Sequence, residues 1–362
     1  MKKMVNFLSM ALMVLVLFSC GGDGKSGKQG GKSLFTPVSS GHPYEMLVVI
    51  DKGLWERPAG RALFNALDMD VPGLPQPERS FRISNIGPDK FDRGFRIFRN
   101  IIDVDIQPIY TQPKLKYSRD SYASPQMIMT IQAPDEQSFE EFVDKNKQVI
   151  VDFFTKAEMN RQISLLKKKH SDLISTKIGS MFGCDVWVPV ELERYKQGTD
   201  FLWASSDNNA SDVSMNFVIY SYPYTDKDTF TKDYFVHKRD SVMKINIPGS
   251  REGQYIQTDA DYVNVKNFSV KGEYAFEARG LWYMENDMMG GPFVSHARVD
   301  RPNGRVVVVE AFIYAPEKKK RDLMRKMEAS LYTLNLPQEQ ELEEIVVGVE
   351  LEEDKQSAPA QE

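Results

Sequence analysis

The chain has 362 residues, 41% hydrophobic and 27% charged, which is the composition of a globular protein with room for about two domains. Its formal net charge is -5 and its Lys and Arg residues are dispersed, so no global basic field draws it to nucleic acid. The two cysteines, Cys20 and Cys184, are too few for a disulfide framework.

The N-terminus reads as a targeting signal over residues 1–19. Lys2 and Lys3 form the positive end, and "MVNFLSMALMVLVLF" is an apolar run too short for a comfortable membrane span. It closes on Leu17-Phe18-Ser19-Cys20, which resembles the lipobox of bacterial lipoproteins, with Phe18 where a small residue is commoner. That resemblance implies cleavage before Cys20 and lipidation of its thiol and new amino group. Several acyl chains on one residue give stable anchoring, at about 0.8 kcal/mol per buried methylene. With Cys20 lipidated, Cys184 has no partner; in "MFGCDVWV" it reads as a buried small hydrophobe rather than a nucleophile.

Residues 20–40 form a Gly/Ser/Lys tether. Gly24-Lys25-Ser26 and Gly31-Lys32-Ser33 invite a phosphate-loop reading, but the positions five before each are Ser19 and Ser26, and no strand precedes them. Nucleotide binding is excluded there.

The body divides into an N-terminal subdomain, 41–180, and a C-terminal one, 181–337. The first opens with the buried strand "EMLVVI", then a helix with Ala59, Ala62, Leu63, Ala66 and Leu67 on one face. "VPGLPQPE" is a Pro-rich turn, and "SFRISNI", "FRIFRNIIDVDI" and "MIMTIQA" read as strands. After Pro134 a long stripe runs from Phe139 through Phe142, Val143, Ile150, Phe153, Phe154 and Ala157, and continues through Ile163, Leu166, Leu173 and Ile174. In the second subdomain "DVWVPV", "DFLWASS" and "MNFVIYSY" read as strands. A helix follows Pro223, then the strands "QYIQTDA", "YAFEARGLWYM", "PFVSHARVD" and "RVVVVEAFIYA", then a last helix after Pro316 with Leu323, Met327, Leu331 and Leu334. Strands thus come in runs between helices, which predicts an α+β fold with largely antiparallel sheets and amphipathic helices packed on them. The strand-Pro-helix device recurs three times, as two similar subdomains would give. Lys167 to Lys169 and Lys318 to Arg321 read as solvated helix faces. Residues 338–362 form an acidic, mostly disordered tail.

The chemistry concentrates in Glu273–Asp300. Tyr274, Phe276, Ala278, Trp282 and Met284 alternate with Glu273, Glu277, Arg279 and Glu285, the signature of a strand with one buried face. In the next strand His296, Arg298 and Asp300 alternate with Phe293, Ala297 and Val299. Between the two strands, Gly290 and Gly291 are expected to supply positive φ in the hairpin loop. Matching apolar face to apolar face gathers Glu277, Arg279, His296, Arg298 and Asp300 as the candidate binding residues. They form either a ligand site or a cross-strand salt-bridge ladder, and the ladder is favoured. Trp282 is expected in the core rather than as a ligand clamp. If Pro302-Asn303-Gly304 makes a three-residue loop with Gly304 left-handed, His296 faces Glu310, whose carboxylate would raise the imidazole pKa. A two-residue loop puts Ala311 there instead.

Catalytic signatures are missing: no G-x-S-x-G, no H-E-x-x-H, no paired-Cys spacing, and four His residues (42, 170, 237 and 296) far apart in sequence. His170, after three Lys, reads as solvated. No metal or cofactor site is assigned. With "GHPYEMLVVID", "LPQPE", "RNII", "FLW", "YSYPYTD", "RD" at Arg239-Asp240, "IPG", "EARGLW", "MGGPFVSH" and "FIYAP" in view, the chain resembles a family of Bacteroidetes lipoproteins catalogued as a domain of unknown function. The resemblance spans about Gly41 to Thr333. It implies a lipid-anchored envelope protein and carries no activity. The tether holds one acidic residue, Asp23, and lacks the acidic cluster after the Cys that resembles a surface-export signal in that group, so a periplasm-facing protein is expected. Two functions compete: a non-catalytic binding or scaffolding module for an envelope protein or glycan, which the missing signatures and the aromatics, among them the Tyr220-Tyr222-Tyr224 run (itself read first as strand core), favour, and an envelope hydrolase built on Glu277, His296 and Asp300.

Overall fold

The computed structural model describes residues 36–206 and 212–339, and the backbone of 352–353. The segment expected to be a signal peptide, most of the expected tether and nearly all of the expected acidic tail lie outside the described residues. Within them the fold is mixed α+β, with seven helices and two sheets, one all-antiparallel.

The first sheet is built from β1 (Glu45–Val49), β2 (Arg82–Ile86), β3 (Asn100–Ile106), β4 (Lys114–Arg119) and β5 (Met127–Ala133). β1 pairs in parallel with β2 and β3, β3 in parallel with β5, and β4 runs antiparallel, against β5. The helical crossover α1 (Lys52–Glu56) and α2 (Pro58–Leu67) between β1 and β2 makes the parallel pairing possible. "EMLVV" is apolar on both faces because both are covered. Met46, Val48 and Ile102 pack under α2 and α4 (Glu136–Lys168), while Leu47, Val49 and Ile101 meet Phe91, Phe98 and Tyr122 behind. Asp135 caps α4, accepting from the Ser138 amide at 2.8 Å. The first two residues of "FRIF", Phe95 and Arg96, instead end the short helix α3 (Arg93–Arg96), which is capped by Asp92. Residues 38–40, assigned to the tether, bridge to Ser124 and Phe98.

The second sheet has the order β6 (Arg194–Gly198), β7 (Phe201–Ser205), β8 (Ser214–Pro223), β12 (Arg305–Tyr314), β11 (Gly290–Asp300), β10 (Glu273–Met284), β9 (Ile256–Val270). α5 (Asp172–Phe182) and α7 (Arg321–Tyr332) cover one face, and α6 (Lys232–Asn246) the other. Two faces in the core explain the unbroken valine run of β12. The "DVWVPV" segment is extended but pairs only through an Asp185–Asn335 bridge. α5 crosses the expected boundary at 180/181 and packs Ile174, Ile178 and Phe182 into the second core. The remaining edge strand, β13 (Glu352–Glu353), lies beside β4 in the first sheet. The strand-Pro-helix device therefore sits in two different topologies, one largely parallel and one antiparallel.

The Pro-rich turn joins the halves. Glu78 is buried and accepts from the backbone amides of Lys320 at 2.7 Å and Arg321 at 3.1 Å, a carboxylate on the start of α7. Lys320, expected in solvent, is buried there, its Nζ donating to Gln76 at 3.1 Å. Tyr44 lies under the guanidinium groups of Arg321 and Arg325.

Candidate functional site

The hairpin β10–β11 forms as the alternation requires. Trp282 is 2% exposed, edge-on to Phe312, with its indole N–H donating to the Ile313 carbonyl at 3.3 Å. The loop differs from expectation. Positive φ falls on Asn286, while Gly290 and Gly291 are strand residues opposite Tyr283 and Trp282. Gly291 is required by crowding, because a Cβ there would sit 2.0 Å from the Ile313 carbonyl oxygen. The next loop spans four residues, Arg301 to Gly304, with Gly304 left-handed. That register sets His296 opposite Val309; neither of the expected registers occurs. Glu310 points to the other face, where Arg239 grips it at 2.7 and 2.9 Å and Ser295 donates to it.

Glu277, Arg279, His296, Arg298 and Asp300 share one face, but this face is not solvated; all five are buried. α7 covers it and contributes ions of its own. Arg279 bridges two carboxylates, donating from Nε to Glu277 at 2.7 Å and from Nη2 to Glu328 of α7 at 2.7 Å. Lys266 of β9 reaches Glu277 at 3.2 Å, and Arg325 lies 3.9 Å from Glu328. Burial pushes both carboxyls up, but Arg279, with His296 and Lys266 at Glu277 and Arg325 at Glu328, holds them below the usual range. Both are anions at neutral pH.

His296 approaches Glu277 at 3.5 Å, but its ring is closed in between Phe268 (4.9 Å) and Tyr332 (4.7 Å) and is fully buried. Burial lowers its pKa against the pull of Glu277, so the imidazole is neutral, opposite to the rise expected from Glu310. Arg298 and Asp300 belong to separate contacts. Arg298 donates to the Leu334 carbonyl and to Glu339, while Asp300 accepts from Arg305 and Asn303 at 2.8 Å each. The five residues therefore split into a Glu277–Arg279–His296 group and two structural pairs.

A cleft of about 1350 Å³ opens beside the first group. One wall is a stripe of α4, Gln148, Val151, Asp152, Thr155, Lys156 and Met159, spaced as one helix face. The facing wall is β9 from Asn264 to Val270, and Glu277, Arg279, Arg325, Glu328 and Tyr332 form the floor. His296 does not line it. Thr155 Oγ1, Glu277 Oε2, Glu328 Oε2 and Gln338 Oε1 are buried acceptors here without a hydrogen-bond partner among the described residues. Sequence reading missed Arg325, Glu328 and Tyr332, although their spacing of three and four marks a second stripe on the last helix.

Other candidates resolve simply. Cys184 is buried and its thiol is pushed up to about 12 by burial. His170 is half-buried, stacked on Trp187 and bonded to the Leu166 carbonyl, not free in solvent. Arg239-Asp240 is a structural pair, Asp240 accepting from the Thr258 amide and hydroxyl. Tyr220 is core and packs against Tyr222. Among the described residues no cluster of three or more His, Cys, Asp or Glu could hold a metal, and no helix is long and apolar enough to cross a membrane.

Two families match the chain. Residues 171–333 match one described as Domain of unknown function (DUF4837), and residues 39–167 match Domain of unknown function (DUF8532). No curated protein matches. Among solved structures, the human StarD13 (DLC2) lipid transfer and protein localization domain is similar over 38% of this chain and 88% of that chain, at 8% identity and a TM-score of 0.19, too slight a likeness to bear on the fold.

Proposed function

We propose that this chain is a cell-envelope protein, lipid-anchored through Cys20 and facing the periplasm, that binds a polymeric partner in the cleft between α4 and β9 without catalysing a reaction on it. The observation that carries this reading is the cleft itself, with a floor of buried ions bridged by Arg279. At about 1350 Å³ it exceeds the roughly 300–1,000 Å³ of small-molecule pockets. A hydrolase built on Glu277, His296 and Asp300 fits this geometry poorly. His296 is sealed from the cleft, Asp300 is held by Arg305, and a carboxylate with a depressed pKa is a weak base and no acid at neutral pH.

A photo-crosslinking residue at Thr155, in cells expressing the full chain, tests the cleft. It should give a discrete adduct that the same group at the exposed Ile109 does not give. Absence of any Thr155-specific adduct would count against a cleft ligand. The anchor is tested separately: fatty-acid labelling that persists in Cys20→Ala would overturn the lipidation reading.

A further inference from the structure

We propose that the partner is a protein, and that an extended segment of it enters the cleft as an additional strand on the edge of β9. This rests on the cleft being a binding site. The first observation is which residues of β9 line it. A strand that offers a face to a cavity lines it with alternate residues. Here Asn264, Val265 and Lys266 line it, and so do Phe268, Ser269 and Val270. Consecutive lining residues mean that the strand turns its edge to the cleft.

That edge is open. Among the described residues β9 is the last strand of its sheet and pairs with β10 alone. Nearer its start the edge is closed, because the Thr258 amide donates to Asp240 of α6 at 2.9 Å. Between Arg279 and Leu281 of β10 the register of β9 jumps from Asn264 to Asp259, so the regular edge begins at Asn264. From Asn264 to Val270 the outward amides and carbonyls make no further backbone hydrogen bond among the described residues. Exposed edges are ordinarily blunted by charge, distortion or cover. Lys266 blunts this one little, since its ammonium is drawn back to Glu277.

The dimensions match. The α4 stripe from Gln148 to Met159 runs about 17 Å at 1.5 Å per residue, and β9 from Asn264 to Val270 runs about 20 Å at 3.4 Å per residue. A strand of about six residues has the length of both, as in the edge-and-helix grooves of β-augmentation. Alternate side chains of the added strand would meet the floor beside Glu277, Arg279 and Glu328.

The test is selection of random-sequence displayed peptides against the lipid-free full domain, with counter-selection on Thr155→Trp, which narrows the cleft. Selected peptides should lose about tenfold or more in affinity, roughly 1.4 kcal/mol, when alternate residues are N-methylated, and little when the intervening ones are. They should also slow amide exchange at alternate residues between Asn264 and Val270. Peptides indifferent to N-methylation, or protection that falls elsewhere, would overturn the strand. If soluble peptidoglycan fragments bind, are blocked by Thr155→Trp, and no peptide is enriched, the cleft reading survives and the strand does not. If neither class binds, both fall.

Discussion

Replacing Arg279 by alanine should destabilise the fold by about 3–5 kcal/mol, as much as emptying a core position. Reading the alternating face as solvated would predict a much smaller loss. The larger figure follows from what the guanidinium holds. Arg279 is 8% exposed and makes 2.7 Å contacts to both Glu277 and Glu328, themselves 1% and 2% exposed. Truncation leaves two carboxylates facing each other in a poorly solvated site. Lys266 and Arg325 remain nearby and the cleft admits water, so the lower end of the range is expected. The assay is the urea midpoint at neutral and at mildly acidic pH.

The sign of the pH effect is fixed. In the native protein both carboxyls have depressed pKa values, so their contribution is present above the unfolded pKa and is lost as pH falls through the folded one. Without Arg279, burial dominates and raises them, so protonation relieves the variant first. The gap between variant and parent should narrow as pH falls. Replacing Glu277, Arg279 and Glu328 together by Leu, Met and Leu should recover most of the loss, since a buried ion triad exchanged for apolar side chains is often neutral. A loss below about 1 kcal/mol for Arg279→Ala, or a triple variant as unstable as the single one, would refute the argument.

Trp282→Ala should cost about 3–5 kcal/mol through cavity formation, with no narrowing of the loss at acidic pH, which separates packing from charge in the same urea titrations. Glu78→Ala should cost about 1–2 kcal/mol by uncapping α7, with Glu78→Gln recovering part of it, measured by the same midpoints. Gly291→Ala should cost more than about 2 kcal/mol because its Cβ meets backbone rather than a movable side chain, and reduced soluble yield would accompany the lower melting temperature. Cys184 should not react with a water-soluble maleimide at neutral pH until denaturant is added, its thiol being buried and pushed up to about 12.

How far the sequence reveals this protein depends on whether a signal is local. The faces of β10 and β11 are local. Period-two alternation put Trp282, Phe276 and Met284 on one side and Glu277, Arg279 and His296 on the other, and the structure keeps them there. β6 escapes for the opposite reason: "RYKQG" is an edge strand largely exposed along its length, with no alternation to read. The parallel pairing of β1 was written in its unbroken apolar run, yet such a run does not say which neighbour lies beside it. The register of β11 on β12 turned on one loop, and a four-residue turn closed by an Arg301–Gly304 bond moved every partner.

Burial of the polar face was out of reach because it is made by residues distant in sequence. Glu277 looks like a surface carboxylate until α7 brings Glu328 and Arg325 over it, and α7 is itself fixed at its start by Glu78 from the first half of the chain. The cleft is hidden in the same way. Gln148, Asp152, Thr155 and Lys156 have the composition of any solvated helix face, and Asn264 to Ser269 that of any exposed strand. Neither wall differs from ordinary surface when taken alone. What sets them apart is their opposition, a helix stripe of about 17 Å against an open strand edge of about 20 Å. Because the ion triad joins β10 to α7 along the floor of that gap, loosening it should disturb the spacing of the walls, and with it any partner they hold.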